Sequence, residues 1–262
     1  MYWRCAKVFR KKALGLRKRI RRMLARMNIT DDFDWDRYSA EYQEQLEEIA
    51  RVHTEVLTAG DYVLLNNRLQ LRRDMLPLHP NHQLLYETVL QLNPSSAIEI
   101  GCGSGDHLYN LGVLDPSIDL YGVDRSAEQI RLLHMRHPGI AATVVRMDAT
   151  VVQDAKTVCD LAFTQAVIMH IQTRTHHLVA LENLFKCARK QVILMENWTR
   201  HAFMDDIELL FDGGRLPWSD LHFHYRVSET DAATRIMVLS ATHLAEYPTL
   251  TDYDTLLAHS QG

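Results

Sequence analysis

Between residues 97 and 105 the chain reads Ala-Ile-Glu-Ile-Gly-Cys-Gly-Ser-Gly: a short apolar strand, an acid, and then glycine at every second position. Glycine is required where the backbone turns with positive φ, or where it touches a ligand that a Cβ would strike. Gly101, Gly103 and Gly105 together therefore read as a cradle for a nucleotide-type cofactor rather than as a plain surface turn. The spacing narrows the ligand. Dinucleotide loops use G-x-G-x-x-G and triphosphate loops use G-x-x-x-x-G-K-[ST]. The order here is Glu-x-Gly-x-Gly-x-Gly with no lysine after it, which suits a ligand without a phosphate.

Three further segments follow in order. Residues 118–123 are a strand-like run closed by Asp124, residues 143–147 a second one closed by Asp148, and residues 159–171 read Cys-Asp-Leu-Ala-Phe-Thr-Gln-Ala-Val-Ile-Met-His-Ile. With the glycine loop these resemble motif I, the ribose-binding motif, the adenine-contacting strand and the methyl-transfer segment of the class I S-adenosylmethionine-dependent methyltransferases, over residues 84–241. The resemblance implies S-adenosyl-L-methionine as cofactor. It places Glu99 on the methionine ammonium, and backbone at Gly101, Cys102, Gly103 and Gly105 along the thioether and ribose. Asp124, with Arg125 beside it, would take both ribose hydroxyls, each charge-assisted bond worth roughly 1.5–3 kcal/mol. Asp148 or the amide of Ala149 would meet the adenine amine, and Thr164, Gln165 and Ala166 would flank the sulfonium. The plainer reading of Asp124 and Asp148 is that each caps the helix that follows.

Methyl transfer from a sulfonium is an in-line displacement, so the protein must chiefly position the acceptor and exclude water. A base is needed only when an acceptor hydroxyl keeps its proton. His170, after the apolar fourth strand, is the first candidate, since imidazole titrates in the useful range; a packing or acceptor-shaping role is the alternative. Glu196, Asn197, Trp198 and His201 form a second cluster at the end of the fifth strand. There His201 is a further catalytic candidate, Glu196 and Asn197 would hydrogen-bond a polar acceptor, and Trp198 would stack on a flat one. Tyr62, His79 and His82 are acceptor-side candidates from the segment before the cradle, against the plainer reading of a loop stiffened by Pro77 and Pro80 with solvated histidines. The nitrogen-methylating pattern N-P-P-[YF] is absent, Thr-Gln-Ala-Val standing in its place, which makes oxygen the expected target atom. His222 and His224 alternate on a strand without a third ligand, so no metal is expected.

Elements must hold these residues at one place. Apolar runs near 97–101, 119–123, 143–147, 160–165 and 191–196 alternate with helical patterns near 105–114, 126–136, 174–188 and 201–211, the signature of a parallel sheet with crossover helices. Residues 221–227 and 235–240 read as an antiparallel hairpin at a sheet edge. The fold expected is α/β, a doubly wound, mostly parallel seven-stranded sheet of the Rossmann-like methyltransferase type, with an N-terminal helical extension. In such sheets ligands gather outside the carboxyl ends of the strands, where strand order reverses.

A chain of 262 residues that is 47% hydrophobic buries about 70–75% of its unfolded surface, so neither a disulfide nor a structural metal is required. Its four cysteines share no C-x-x-C spacing, consistent with reduced thiols and a cytoplasmic setting. No apolar run is long enough to cross a bilayer. Charge is uneven: residues 1–27 hold eleven of the 29 basic residues and none of the 33 acidic ones. Apolar residues there recur at helical steps, as in a basic amphipathic helix for an anionic membrane surface. Packing on the acidic body or on a partner protein, or an arm for nucleic acid, are the alternatives; the acidic body argues against nucleic acid. The division expected is a basic helix over 1–27, a helical lid over 28–83 and a cofactor-binding catalytic domain over 84–262. The expected acceptor is a small molecule or a glycan, lipid-linked if the basic helix brings it to the inner face of a membrane. RNA, a protein side chain, or a non-catalytic scaffold role remain the other readings.

Overall fold

A computed structural model describes residues 56–72, 78–154 and 157–252. The basic helix expected over 1–27 lies outside the described residues. Of the helical lid expected over 28–83, residues 28–55 and 73–77 also lie outside them, and Val56 and Leu57 are not helical.

Two short strands, β1 (Tyr62–Leu65) and β2 (Arg68–Leu71), form an antiparallel hairpin. They are followed by α1 (Pro80–Leu92), β3 (Ser96–Ile100), α2 (Asp106–Leu114), β4 (Asp119–Asp124), α3 (Ala127–Arg136), β5 (Ala142–Arg146) and β6 (Cys159–Gln165). A 3-10 turn (Ile168–His170), α4 (His176–Lys186), β7 (Ala188–Met195), α5 (Phe203–Asp212), β8 (His222–Val227) and β9 (Arg235–Ser240) complete the order. The seven strands of the main sheet lie in the order β5-β4-β3-β6-β7-β9-β8. The first five are parallel, and β9 is antiparallel to both β7 and β8. This is the expected doubly wound sheet with its edge hairpin.

Side chains alternate across the sheet with the strand period of two. Ile98, Ile100, Ala162 and Val192 pack with α4 and α5 on one face, whereas Ala97, Leu161, Phe163 and Ile193 pack with α1, α2 and α3 on the other. The central strand β6 is buried from Cys159 to Thr164, as a strand covered on both faces must be. The sheet order reverses beside β3, so a cleft opens above the ends of β3, β4 and β6.

The stretch before the cradle departs from the sequence reading. Pro80 does not break a regular element but opens α1, since the first helical position has no use for an amide hydrogen. His79 precedes it as the cap, its Nδ1 accepting from the Asn81 amide at 3.2 Å. In the β1–β2 hairpin Asn66 and Asn67 both take left-handed φ, +50° and +61°, the geometry of a two-residue hairpin turn.

Candidate active site

Above the strand ends lies a cavity of about 340 Å³. One side of it is built by the glycine loop. The amides of Gly101 and Cys102 both donate to the carbonyl of Val123, which folds the loop over the end of β4. Asp124 then closes the loop: Oδ2 accepts from the Gly103 amide at 2.9 Å and Oδ1 from the Ser126 amide at 2.8 Å. Ser126, not Asp124, caps α3. A carboxylate accommodates about four hydrogen bonds, so two backbone donors do not exhaust Asp124 as a ribose ligand. Asp148 ties its own loop, accepting from the amide and hydroxyl of Thr150. Among the described residues no helix follows it before β6, so it caps none there. Asn183 on α4 steadies this loop by donating to the carbonyls of Ala149 and Val151.

Glu99 is the cavity's uncompensated group. It is 2% exposed, and its Oε2 is buried without a hydrogen-bond partner among the described residues. Burial pushes its carboxyl well above the usual range, and the nearby Asp124 and Asp106 push it further. A buried acid among acids calls for a cationic ligand. Asp106 is ionised instead: burial pushes it up, but bonds from His137, Ser104 and Arg136 outweigh that and hold it below the ordinary value.

The other side of the cavity, toward β6, is built from imidazoles. His107, in the first turn of α2, lies between Tyr86 and Gln165: Nδ1 is 2.9 Å from the tyrosine hydroxyl and Nε2 is 3.3 Å from Gln165 Oε1. Tyr86 accepts in turn from Asn110 Nδ2, whose Oδ1 takes the amide of Leu57. The direction of this chain fixes a neutral His107 that accepts at Nδ1 and donates at Nε2. Burial lowers its pKa, in agreement. His82 on α1 meets His107 edge-on at 4.9 Å, and burial with His107 and His79 nearby brings its pKa down to about 3. His170 lines the same end, its pKa lowered by burial and by Arg200.

Of the residues named from sequence, His82, Glu99, Gly101, Cys102, Gly103, Asp124, Arg125, Asp148, Ala149, Gln165, Ala166 and His170 line the cavity. Gly105 does not: it precedes α2 at φ +78°, and a Cβ there would sit 2.5 Å from Leu133. Thr164 is fully buried beneath the floor, with its hydroxyl donated to Glu196. Tyr62 packs on the α1 side of the sheet and accepts the Leu78 amide. His79 is exposed at the helix cap.

The second cluster lies behind the cavity wall. Glu196 Oε1 accepts from the amides of Val167 and Ile168 and from the Thr164 hydroxyl, and Oε2 from the Met169 amide. Burial pushes its carboxyl up to about 7, against the pull of those donors. His201 donates from Nε2 to the Ile168 carbonyl, Trp198 is buried in the core beneath α5, and Asn197 closes an exposed turn with Thr199. Sequence reasoning missed His107, Gln129, Met147 and Thr150, all on the cavity surface. His107 stands two residues past the last glycine of the cradle, and that position was the available signal. His222 and His224 lie away from the cavity, and His224 spends both ring nitrogens on the Tyr247 carbonyl and the Leu244 amide. Among the described residues no group of three histidine, cysteine or acidic side chains is arranged to hold a metal.

Comparison with known proteins agrees with this geometry. Residues 97–191 match the family model described as a methyltransferase domain. No curated protein shows significant similarity to the chain. A TehB-like S-adenosylmethionine-dependent methyltransferase from Corynebacterium glutamicum is 14% identical, and superposes over 79% of this chain and 98% of its own with a TM-score of 0.51. The N-methyltransferase NodS from Bradyrhizobium japonicum, solved with S-adenosylhomocysteine, is 15% identical over 62% of this chain and 87% of its own, with a TM-score of 0.46. The structural likeness gives the fold; the family match and the cradle give the cofactor, S-adenosylmethionine, whose ammonium suits the orphaned Glu99 carboxyl and whose ribose suits Asp124. Residues 97–191 are thus similar to a methyltransferase domain, set in a Rossmann-like methyltransferase fold.

Proposed function

We propose that the enzyme methylates an oxygen of a small, uncharged, hydroxyl-bearing acceptor, a free small molecule or a glycan. One observation carries this reading: the β6 side of the cavity presents imidazoles that burial keeps neutral, His82, His107 and His170. Among the described lining residues Arg125 is the one Lys or Arg, and it stands beside Asp124 on the opposite side. A phosphate or carboxylate on the acceptor would meet the acids Glu99, Asp106 and Asp124, whereas a hydroxyl would meet neutral imidazole at His82 and His170, both nitrogens of His107 being engaged by Tyr86 and Gln165.

When bound, the cofactor supplies an electrophilic methyl group on sulfur. The chain supplies position and proton control. Glu99 would hold the donor's ammonium and Asp124 its ribose, and the buried floor at Phe163 and Thr164 excludes water. His170 at the wall is in its proton-accepting form and takes the acceptor's hydroxyl proton as the new bond forms. Delivery of a lipid-linked acceptor by the basic residues 1–27 belongs to the same reading, and co-sedimentation with phosphatidylserine vesicles tests it. Among the described residues no helix is long and apolar enough to cross a membrane.

The test is methyl transfer from radiolabelled S-adenosylmethionine to matched phenols and sugars, each offered as the neutral compound and as its phosphate or carboxylate. Neutral acceptors are expected to turn over, with a loss on the order of 10²–10⁴ in rate for His170→Ala. Preference for the anionic partner of each pair would sink the reading.

A further inference from the structure

The turn after β6 is the wall between the cavity and the cluster behind it. Ala166, Val167, His170 and Ile171 face the cavity, yet nothing in their own sequence favours the conformation they hold. Ala166 takes φ +54°, a left-handed geometry that costs a Cβ-bearing residue about 1 kcal/mol or more. Three successive amides, of Val167, Ile168 and Met169, point away from the cavity at distances of 3.0, 3.2 and 3.0 Å from one carboxylate, that of Glu196. On the carbonyl side, His201 Nε2 takes the Ile168 oxygen at 3.0 Å. His201 is itself held flat against His177, ring centroids 4.2 Å apart, and His177 reaches Asp206 on α5 at 3.5 Å.

We infer that Glu196 and His201 are positioning residues, two jaws of a clasp that grips the 166–170 turn from behind and so sets where His170 and the acceptor wall stand. The inference rests on reading that turn as the acceptor side of the cavity. Neither residue lines the cavity. The Glu196 carboxyl sits in a nest of backbone donors, and its grip offsets the strain at Ala166. The carboxylate is chemically specific: an amide in its place puts an NH₂ donor against backbone N–H groups, so the nearly isosteric Glu196→Gln releases at least one of the three amides.

The clasp is independent of the cofactor half, which separates its failure from failure of the acceptor assignment. The experiment is amide hydrogen exchange, read residue by residue by NMR on the full chain saturated with S-adenosylhomocysteine, for the unmodified protein, Glu196→Gln and His201→Ala. Glu196→Gln is expected to raise exchange at Val167, Ile168 and Met169 by tenfold or more. His201→Ala is expected to raise it less over the same turn and to move the His170 imidazole resonances. In both variants Ile100 and Val123 should stay protected and affinity for S-adenosylhomocysteine should stay within threefold. If the three amides stay as protected in both variants as in the unmodified protein, the inference falls. It falls equally if both variants raise exchange throughout the sheet, since the residues would then support the fold at large and not the wall. Failure of only the acceptor assignment would leave the exchange pattern intact and appear in the turnover assay alone.

Discussion

The two halves of the cavity are made in different ways. The β3–β4–β5 half draws its acids from three strand ends: Glu99, Asp124 and Asp148 stand within two residues of the ends of β3, β4 and β5, and Asp124 binds the amides of Gly103, 21 positions earlier, and Ser126. The β6 half is assembled from afar. His82 arrives on α1, His107 on α2, and the turn that carries His170 is held by Glu196, 27 to 29 positions away from the amides it binds. A cofactor common to many enzymes can be met by a motif, while an acceptor pocket peculiar to one enzyme is built by tertiary packing around it.

The largest effect is expected at Asp106, whose carboxylate binds Ser104, Arg136 and His137 beside the cradle. Asp106→Ala leaves Arg136 and His137 facing an empty site and is expected to cost about 3 kcal/mol of stability by urea unfolding. Because its pKa is depressed on folding, the stabilisation from Asp106 is present above the ordinary carboxylate pKa and disappears as pH falls through the depressed value. Asp124→Ala breaks only the β3–β4–β5 half: S-adenosylhomocysteine affinity by calorimetry should fall about 100-fold, or roughly 2–3 kcal/mol. Exchange at Val167–Met169 should be unmoved, and movement there would contradict the independence of the halves. Gly101→Ala joins them. At φ +79° its new Cβ would lie 2.5 Å from Val167, so strain of about 1–2 kcal/mol should appear as weaker cofactor binding together with altered His170 resonances.

The smallest effect sharpens the picture of the cofactor half. Burial and the carboxylates of Asp124 and Asp106 favour the protonated form of Glu99, whereas a cationic ammonium favours its ionised form. Binding of S-adenosylhomocysteine should therefore release a proton and tighten as pH rises, by at most about 1.4 kcal/mol per pH unit. Calorimetry in buffers of unequal ionisation enthalpy reads that proton directly. Glu99→Gln should abolish the release, and an unchanged proton count in this variant would assign it to another group.

Legibility in the sequence followed the same division. The parallel strands and their crossovers, and the acids at the strand ends, declared themselves because apolar runs and turn chemistry are local signals. Pro80 misled because a proline ahead of a helix and a proline within a loop look alike until the following turns are packed. The Asn66-Asn67 turn lacked the glycine that usually marks such a hairpin. Glu196, Trp198 and His201 stood at the correct end of β7, but position along a strand does not say which side of the next wall a side chain occupies. Trp198 went to the core, and Glu196 turned its carboxylate onto backbone.

The hydrogen-bonded series from Leu57 to Gln165 also carries polarity. Leu57 can only give, so Asn110 presents its oxygen there and its nitrogen to Tyr86; Tyr86 must then give to His107, and His107 to the oxygen of Gln165. The orientation of the Gln165 amide in the cavity is thus dictated by a main-chain N–H more than a hundred residues earlier. A proline at position 57 would erase the first letter of that instruction, and the choice of which end of Gln165 greets a ligand would no longer be made in advance.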